Sequence, residues 1–180
     1  DDRLAQASYF LGCPGSGTAM VVDPARDIAP YLHLAKQNGM TITHVAETHI
    51  HADYVSGGRE LAAKTGATLV VSAEGDGDLA YDIDTNDSVN VHYIHDGDTC
   101  MVGGVKIKAV NTPGHTPEHM SYLVTDTGVD QPIGLFSGDF IFVGDVGRPD
   151  LLDATGMLVG SREAGAKTQY KSVEAFKQLP

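Results

Sequence analysis

In the first half of the chain, short apolar runs alternate with stretches of helical period. Residues 19–22 read Ala-Met-Val-Val and stop at Asp23-Pro24, which predicts a buried strand. From Ile28 the period lengthens: Ile28, Tyr31, Leu32 and Ala35 share one helical face, and Asn38-Gly39 ends it. Residues 44–47 predict a second strand, 58–64 a helix stopped by Gly66, and 68–71 a third strand. Residues 74–90 carry no period and read as a loop.

The second half is built differently. Residues 91–94, 100–102 and 105–110 are short β segments joined by turns at Asp96-Gly97-Asp98 and Gly103-Gly104. Within the last of them apolar and lysine positions alternate, as in a half-buried strand. Residues 121–125 and 133–136 add two more strands around a turn at Gly128. Tyr170, Val173 and Phe176, three apart, predict a final helix with that apolar face. A βαβαβ block followed by hairpins predicts two sheets packed face to face with helices outside, an α/β sandwich. No repeat or linker divides the chain, so residues 1–180 are expected to form one domain.

Composition narrows the class. With 42% hydrophobic residues in 180, the chain can bury a full core without staples. Cys13 and Cys100 form neither a CxxC pair nor a disulfide framework, and buried small hydrophobes are their expected role. A net charge of -12 opposes binding to nucleic-acid phosphates. No apolar run approaches the roughly 18 residues of a spanning helix. The expectation is a soluble, cytoplasmic domain with no nucleic-acid or membrane partner. Because it opens on Asp1-Asp2-Arg3 and closes on Leu179-Pro180, it is expected to be part of a longer chain.

Three segments carry chemistry. Thr48-His49-Ile50-His51-Ala52-Asp53-Tyr54 places two histidines and an aspartate at alternate positions just past a strand. Alternate side chains of an extended segment point the same way, so metal-ligand groups can converge. Asp53 could instead cap the next helix, but capping has no need of paired histidines. Asn111-Thr112-Pro113-Gly114-His115 offers a histidine at a second strand exit, and Phe136-Ser137-Gly138-Asp139 a carboxylate at a third.

Together these segments resemble the metallo-β-lactamase superfamily, with its HxHxDH, distant His and distant Asp. The resemblance runs from residue 19 to residue 150 and implies an αββα sandwich with metal at the edge where the sheets meet. Tyr54 stands where the last His of HxHxDH is expected. In the binuclear hydrolases that His helps hold a second metal, and a phenol, protonated near neutral pH, is a poor substitute. The resemblance therefore implies a mononuclear site of His49, His115 and Asp139, the two-His, one-carboxylate set of non-haem Fe(II) oxygenases.

Residues 47–57, 112–121 and above all 138–151 (GDFIFVGDVGRPDL) further resemble the persulfide dioxygenases, in particular the bacterial branch often fused to rhodanese domains. That branch implies oxidation of a low-molecular-weight thiol persulfide, such as glutathione persulfide, by O2 to sulfite and thiol. One Fe(II) per chain would serve it, within sulfur metabolism and hydrogen sulfide detoxification. His51 and Asp53 are then catalytic candidates beside the iron, Asp53 orienting a ligand imidazole or a bound water. Arg148 either pairs with Asp145 or Asp150 or meets a carboxylate of the thiol carrier. Glu118 and His119 are expected to shape their loop, and Tyr54 to pack where a second metal would sit. The acidic residues of 74–87 read as a solvated face. Against the family the chain is expected to lack its extreme N-terminus and a C-terminal portion that walls the pocket. Rhodanese domains and a homo-oligomer are possible partners of the intact protein. A zinc thioester hydrolase of the glyoxalase II type is the main alternative, and a non-catalytic interaction module of the same fold is another.

Overall fold

The computed structural model describes residues 6–75, 77–84, 89–154 and 159–180. One sheet holds β1 (Tyr9–Cys13), β2 (Thr18–Val22), β3 (Thr41–Ala46), β4 (Thr68–Ser72) and β5 (Asn90–Ile94), side by side in that order. β1 pairs antiparallel with β2, while β2 to β5 run parallel. The parallel pairs need crossovers, and α1 (Ala29–Gln37) and α2 (Gly58–Thr65) supply two of them. The second sheet is antiparallel, β6 (Thr99–Val102), β7 (Val105–Asn111), β8 (Met120–Thr125) and β9 (Gly134–Phe136). A small ribbon of β10 (Ile141–Phe142) and β11 (Asp145–Val146) follows, then α3 (Leu151–Ala154) and α4 (Arg162–Phe176).

Strand alternation divides the core in two. Met20, Val22, Ala46, Val70 and Ile94 face the other sheet and pack on Val105, Ile107, Ala109, Met120 and Tyr122. Val21, Val45, Leu69 and Val71 face outward and pack under Tyr31 and Ala35 of α1 and Leu61 and Ala62 of α2. β2 is therefore buried on both faces, which is why its sequence reads as an unbroken apolar run. These layers make the expected α/β sandwich.

Some expectations are corrected. Strand β1 was not legible: its five residues include Gly12, and it sits on the sheet edge with little alternation. In α4, Tyr170 is 66% exposed, and the buried residues are Gln169 and Ser172. Val173 and Phe176 are half-buried, Phe176 edge-on against Phe140, so of the 170/173/176 face only Tyr170 points outward; Gln169 and Ser172 join the inner side because α4 packs on loop carbonyls, which polar side chains satisfy. Both cysteines are free and only half-buried against the inter-sheet core, not fully inside it. Segment 74–90 contains a short 3-10 turn at Gly77–Leu79, and buried Ile83 pins it to the outer core. Asp82 and Asp84 there are exposed, whereas Asp76 and Asp87 lie outside the described residues. Among the described residues, no helix is long and apolar enough to cross a membrane.

Candidate metal centre

The ends of β2, β3, β7 and β9 meet at one edge of the sandwich, each followed by a segment with chemistry. Two bonds stitch the sheets there: Met120 N–H donates to the Thr48 carbonyl at 2.7 Å, and the Tyr122 hydroxyl to the Glu47 carbonyl at 2.8 Å. Past these ends His49, His115 and Asp139 converge, one donor atom from each lying within 4.8 Å of the others. Asp139 Oδ2 stands 3.5 Å from His115 Nε2 and 4.0 Å from His49 Nε2. Both histidines are buried, while the Asp139 side chain is 48% exposed and opens outward.

Each imidazole is held by its far nitrogen. The Thr48 hydroxyl donates to Asp23 Oδ2 at 2.8 Å, so its oxygen accepts the Nδ1–H of His49 at 2.9 Å. His115 Nδ1 lies 3.1 Å from the Arg148 carbonyl, which can only accept. In both rings the proton is therefore on Nδ1, and a lone pair on Nε2 is presented toward Asp139. This is the tautomer a metal requires, fixed by the partners behind the ligands. Burial, then the neighbouring His51, His119 and His115, push the His49 pKa far below its ordinary value, so the ring stays neutral. The donor set and its tautomers fit a divalent transition metal.

Asp139 is positioned through its backbone. Its N–H donates to Nε2 of the fully buried His119 at 3.1 Å, so His119 carries its proton on Nδ1, donated to Thr112 Oγ1 at 2.9 Å. Thr112 continues the chain to Ser121 at 2.8 Å. Burial, with His115 and His51, lowers the His119 pKa to about 3, consistent with a neutral acceptor. The turn before Asp139 needs glycine: Gly138 has φ +50, and a Cβ there would come within 2.8 Å of His119 Nε2. From the other side, Gln169 Nε2 donates to the carbonyls of Gly147 and Phe140, and the Ser172 hydroxyl to that of Pro113. Helix α4 thus grips the loops that carry His115, Asp139 and Arg148.

A second cluster lies alongside. Asp23, Glu47 and His51 also bring donor atoms within 4.8 Å of one another. Here His51 Nε2 faces Asp23 Oδ1 at 3.2 Å and Glu47 Oε2 at 3.5 Å. Burial disfavours the imidazolium, but the hydrogen bonds to Asp23 and Glu47 outweigh it and raise the His51 pKa to about 10. Asp23 Oδ1 also accepts the Thr48 N–H at 2.7 Å, and to reach these partners Asp23 adopts φ +49. That left-handed conformation is tolerated by Asp better than by most residues.

The remaining candidates divide. Asp53 is exposed and does not orient the ligand imidazoles, because Thr48 and the Arg148 carbonyl hold them. It lines the mouth of a cavity of about 720 Å3 together with Asp23, His51 and Asp139. The opposite wall is apolar, with Tyr9, Ile141, Phe142 and Phe176. Tyr54 packs on the His51 ring with centroids 4.5 Å apart, and its hydroxyl accepts from Gln6 Nε2. The Arg148 guanidinium, mostly exposed, forms a bidentate pair with Asp150 at 3.2 and 3.0 Å. Buried Glu118 accepts from Ile50 N–H and the Thr116 hydroxyl, tying the His49 and His115 loops together. Sequence reasoning missed Asp23, Thr48, Thr112 and Gln169. Only Asp23 carried a signal, since it ends a buried strand beside the one that delivers His49.

A family model of the metallo-beta-lactamase superfamily matches residues 1–180. Against curated proteins, the chain is 33% identical over 172 residues to a hydroxyacylglutathione hydrolase of Methylococcus capsulatus, covering 96% of this chain and 57% of that protein. It is 32% identical over 140 residues to one of Rhodospirillum rubrum, covering 78% and 49%. The chain thus spans about half the length of the curated relatives it matches. Among solved structures, a metallo-beta-lactamase from Staphylococcus aureus superposes with TM-score 0.90 at 50% identity, over 100% of this chain and 51% of that one. ETHE1 from Myxococcus xanthus superposes with TM-score 0.72 at 27% identity, over 97% and 65%.

Proposed function

The chain belongs to the metallo-β-lactamase superfamily, and we propose that it serves a mononuclear Fe(II) persulfide dioxygenase. The observation that carries this reading is the donor set. His49, His115 and Asp139 present free donor atoms to one point, His51 is turned onto two carboxylates, and Tyr54 occupies the position of a further histidine. Two imidazoles and one carboxylate leave adjacent positions open, the arrangement of non-haem Fe(II) oxygenases. When bound, Fe(II) supplies those positions for O2 and a persulfide sulfur. The likeness to ETHE1 from Myxococcus xanthus fits this branch.

The protein's own residues do the rest. The cavity at the centre offers a small thiol carrier an apolar wall of Tyr9, Ile141, Phe142 and Phe176 beside Asp139. The net reaction is RSSH + O2 + H2O → RSH + sulfite + two protons, so oxygen is the oxidant and the terminal sulfur is oxidised. Asp53, at the mouth beside Asp139, receives a proton as sulfite forms. Thr48 and the Arg148 carbonyl keep the ligand rings in one tautomer throughout.

A second reading, a zinc hydrolase acting on hydroxyacylglutathione, is supported by the identity to the curated relatives over 96% of the chain. One experiment separates the two. The intact protein is loaded anaerobically with Fe(II) or with zinc and given glutathione persulfide or a hydroxyacylglutathione. Oxygen uptake and sulfite release by the iron form are expected. Thioester cleavage by the zinc form, with no oxygen uptake by the iron form, overturns the dioxygenase reading.

A further inference from the structure

Helix α4 contributes no ligand, yet two of the three ligand loops rest on it. Gln169, from its middle, is 3% exposed, and its amide donates to the Gly147 carbonyl at 2.8 Å and to the Phe140 carbonyl at 3.3 Å. Gly147 is next to Arg148, whose own carbonyl holds His115, and Phe140 is next to Asp139. We propose that Gln169 is a positioning residue that sets the span between the His115 and Asp139 donor atoms, and so couples docking of α4 to occupancy of the metal centre. The inference rests on His49, His115 and Asp139 being the ligands and applies to iron and zinc alike, so it stands apart from the choice of reaction.

The joint between α4 and these loops has no slack, because glycine brings backbone into close approach at each contact. Gly114, next to His115, has φ +148, and a Cβ there would stand 2.4 Å from Gln169 Cβ and 2.7 Å from its Oε1. At Gly147, whose carbonyl Gln169 holds, a Cβ would come within 1.6 Å of the Asp139 carbonyl oxygen and 3.3 Å of His115 Cβ. Gly165, one turn earlier on α4, lies against the Pro149 carbonyl, which a Cβ would approach to 2.5 Å. The base of the β10–β11 ribbon is closed by the Gly147 N–H on the Phe140 carbonyl at 3.0 Å, and the Gln169 amide bridges the two residues of that pair. Carbonyls only accept, so the amide nitrogen faces them, and Oε1 is left buried without a hydrogen-bond partner among the described residues. The side chain is thus used for its two N–H groups, which fix the Gly147 and Phe140 carbonyls against each other. His115 Nε2 and Asp139 Oδ2 stand 3.5 Å apart, and a shift of either loop changes that span. The coupling is reciprocal: α4 favours ligation by as much as ligation favours the docked helix.

Cobalt(II) tests this, because its visible bands report the geometry of its ligands whichever metal the protein uses in the cell. The intact protein, freed of metal, is titrated with Co(II) as wild type, Q169L and I42A. Q169L is expected to weaken binding about tenfold, the lower end of effects from groups behind ligands, and to shift the bands. I42A is the control: it opens a cavity in the outer core near the start of β3, and should lower stability with affinity and bands unchanged. Hydrogen exchange in the wild type gives the reciprocal reading and needs no variant: amides of α4 should exchange more slowly once Co(II) is bound. A folded Q169L with wild-type affinity and spectrum overturns the proposal. So does an equal loss of affinity in I42A, since affinity would then merely follow stability. Unchanged exchange in α4 on Co(II) binding overturns it too, even where Q169L fails to fold. Co(II) binding that survives H49A and D139A overturns the ligand assignment itself, a separate result.

Discussion

Two clusters of histidine and carboxylate sit side by side in this molecule and do opposite things. In one, His49, His115 and Asp139 each aim a donor atom at a shared point. In the other, Asp23, Glu47 and His51 spend their donors on one another. The residue types are nearly the same, and so is the spacing. What differs is the far nitrogen. His49 and His115 are bonded through Nδ1 to groups that accept, which leaves Nε2 bare. His51 is bonded through Nε2, the atom a metal would need. Donor proximity alone does not make a metal centre; the partners behind the donors decide it.

The sharpest way to break the comparison is to delete donors from each cluster in turn. H49A, H115A and D139A should each reduce bound metal below one-tenth of the wild-type stoichiometry, measured by elemental analysis after dialysis. Under the same treatment H51A should retain its metal. Equal losses in all four would merge the two clusters into one site.

Next in size is the relay behind His49. T48V keeps the shape of Thr48 but removes the oxygen that accepts Nδ1–H and donates to Asp23. Metal affinity should fall about 10- to 100-fold, the usual effect of losing a partner behind a ligand. Competition with a chromophoric chelator measures it. An unchanged affinity would mean that the ring's tautomer is fixed by something else.

These two predictions also mark where the sequence stopped being informative. His49, His115 and Asp139 were legible because each follows a recognisable strand, and strand ends converge in a two-sheet fold. The sandwich itself followed from the change between apolar runs and alternating ones. Thr48 and Thr112 were not legible, since a threonine beside a histidine has no pattern and its role depends on a hydroxyl's direction. Asp23 read as a strand stop, which it is, yet its oxygens reach Thr48 and His51 across 25 and 28 residues of sequence. Gln169 was hidden for a different reason. A helix that packs on loop carbonyls needs polar residues on its inner face beside apolar ones such as Phe176, and the hydrophobic period reveals only the apolar ones.

That helix gives a smaller effect. Q169L removes the donor to the Gly147 carbonyl and one of two donors to the Phe140 carbonyl, which keeps the Gly147 N–H. It should cost about 1–3 kcal/mol of stability, the penalty for stranding buried polar groups. The midpoint of chemical denaturation measures this in the metal-free protein. A loss confined to the metal-loaded form would show instead that α4 supports the site and not the fold.

The smallest effect uses a histidine with no part in either cluster. His44 lies on β3, the strand that delivers both His49 and His51, and it is half-buried beside Thr43. Burial, then the neighbouring His92, lowers its pKa below the ordinary value of 6.5. The folded state thus prefers His44 neutral, and the unfolded chain takes up a proton at higher pH than the folded one. Its contribution to stability is present above about pH 6.5 and is lost as pH falls through the folded pKa. The slope cannot exceed that of one proton, about 1.4 kcal/mol per pH unit. Thermal melts of the metal-free protein from neutral to mildly acidic pH should show H44Q losing less stability on acidification than wild type. His51 differs in sign, because its carboxylate partners raise its pKa where burial alone lowers that of His44. If H44Q and wild type fall in parallel, burial on β3 is too shallow to move the proton, and ion pairing is what separates these histidines.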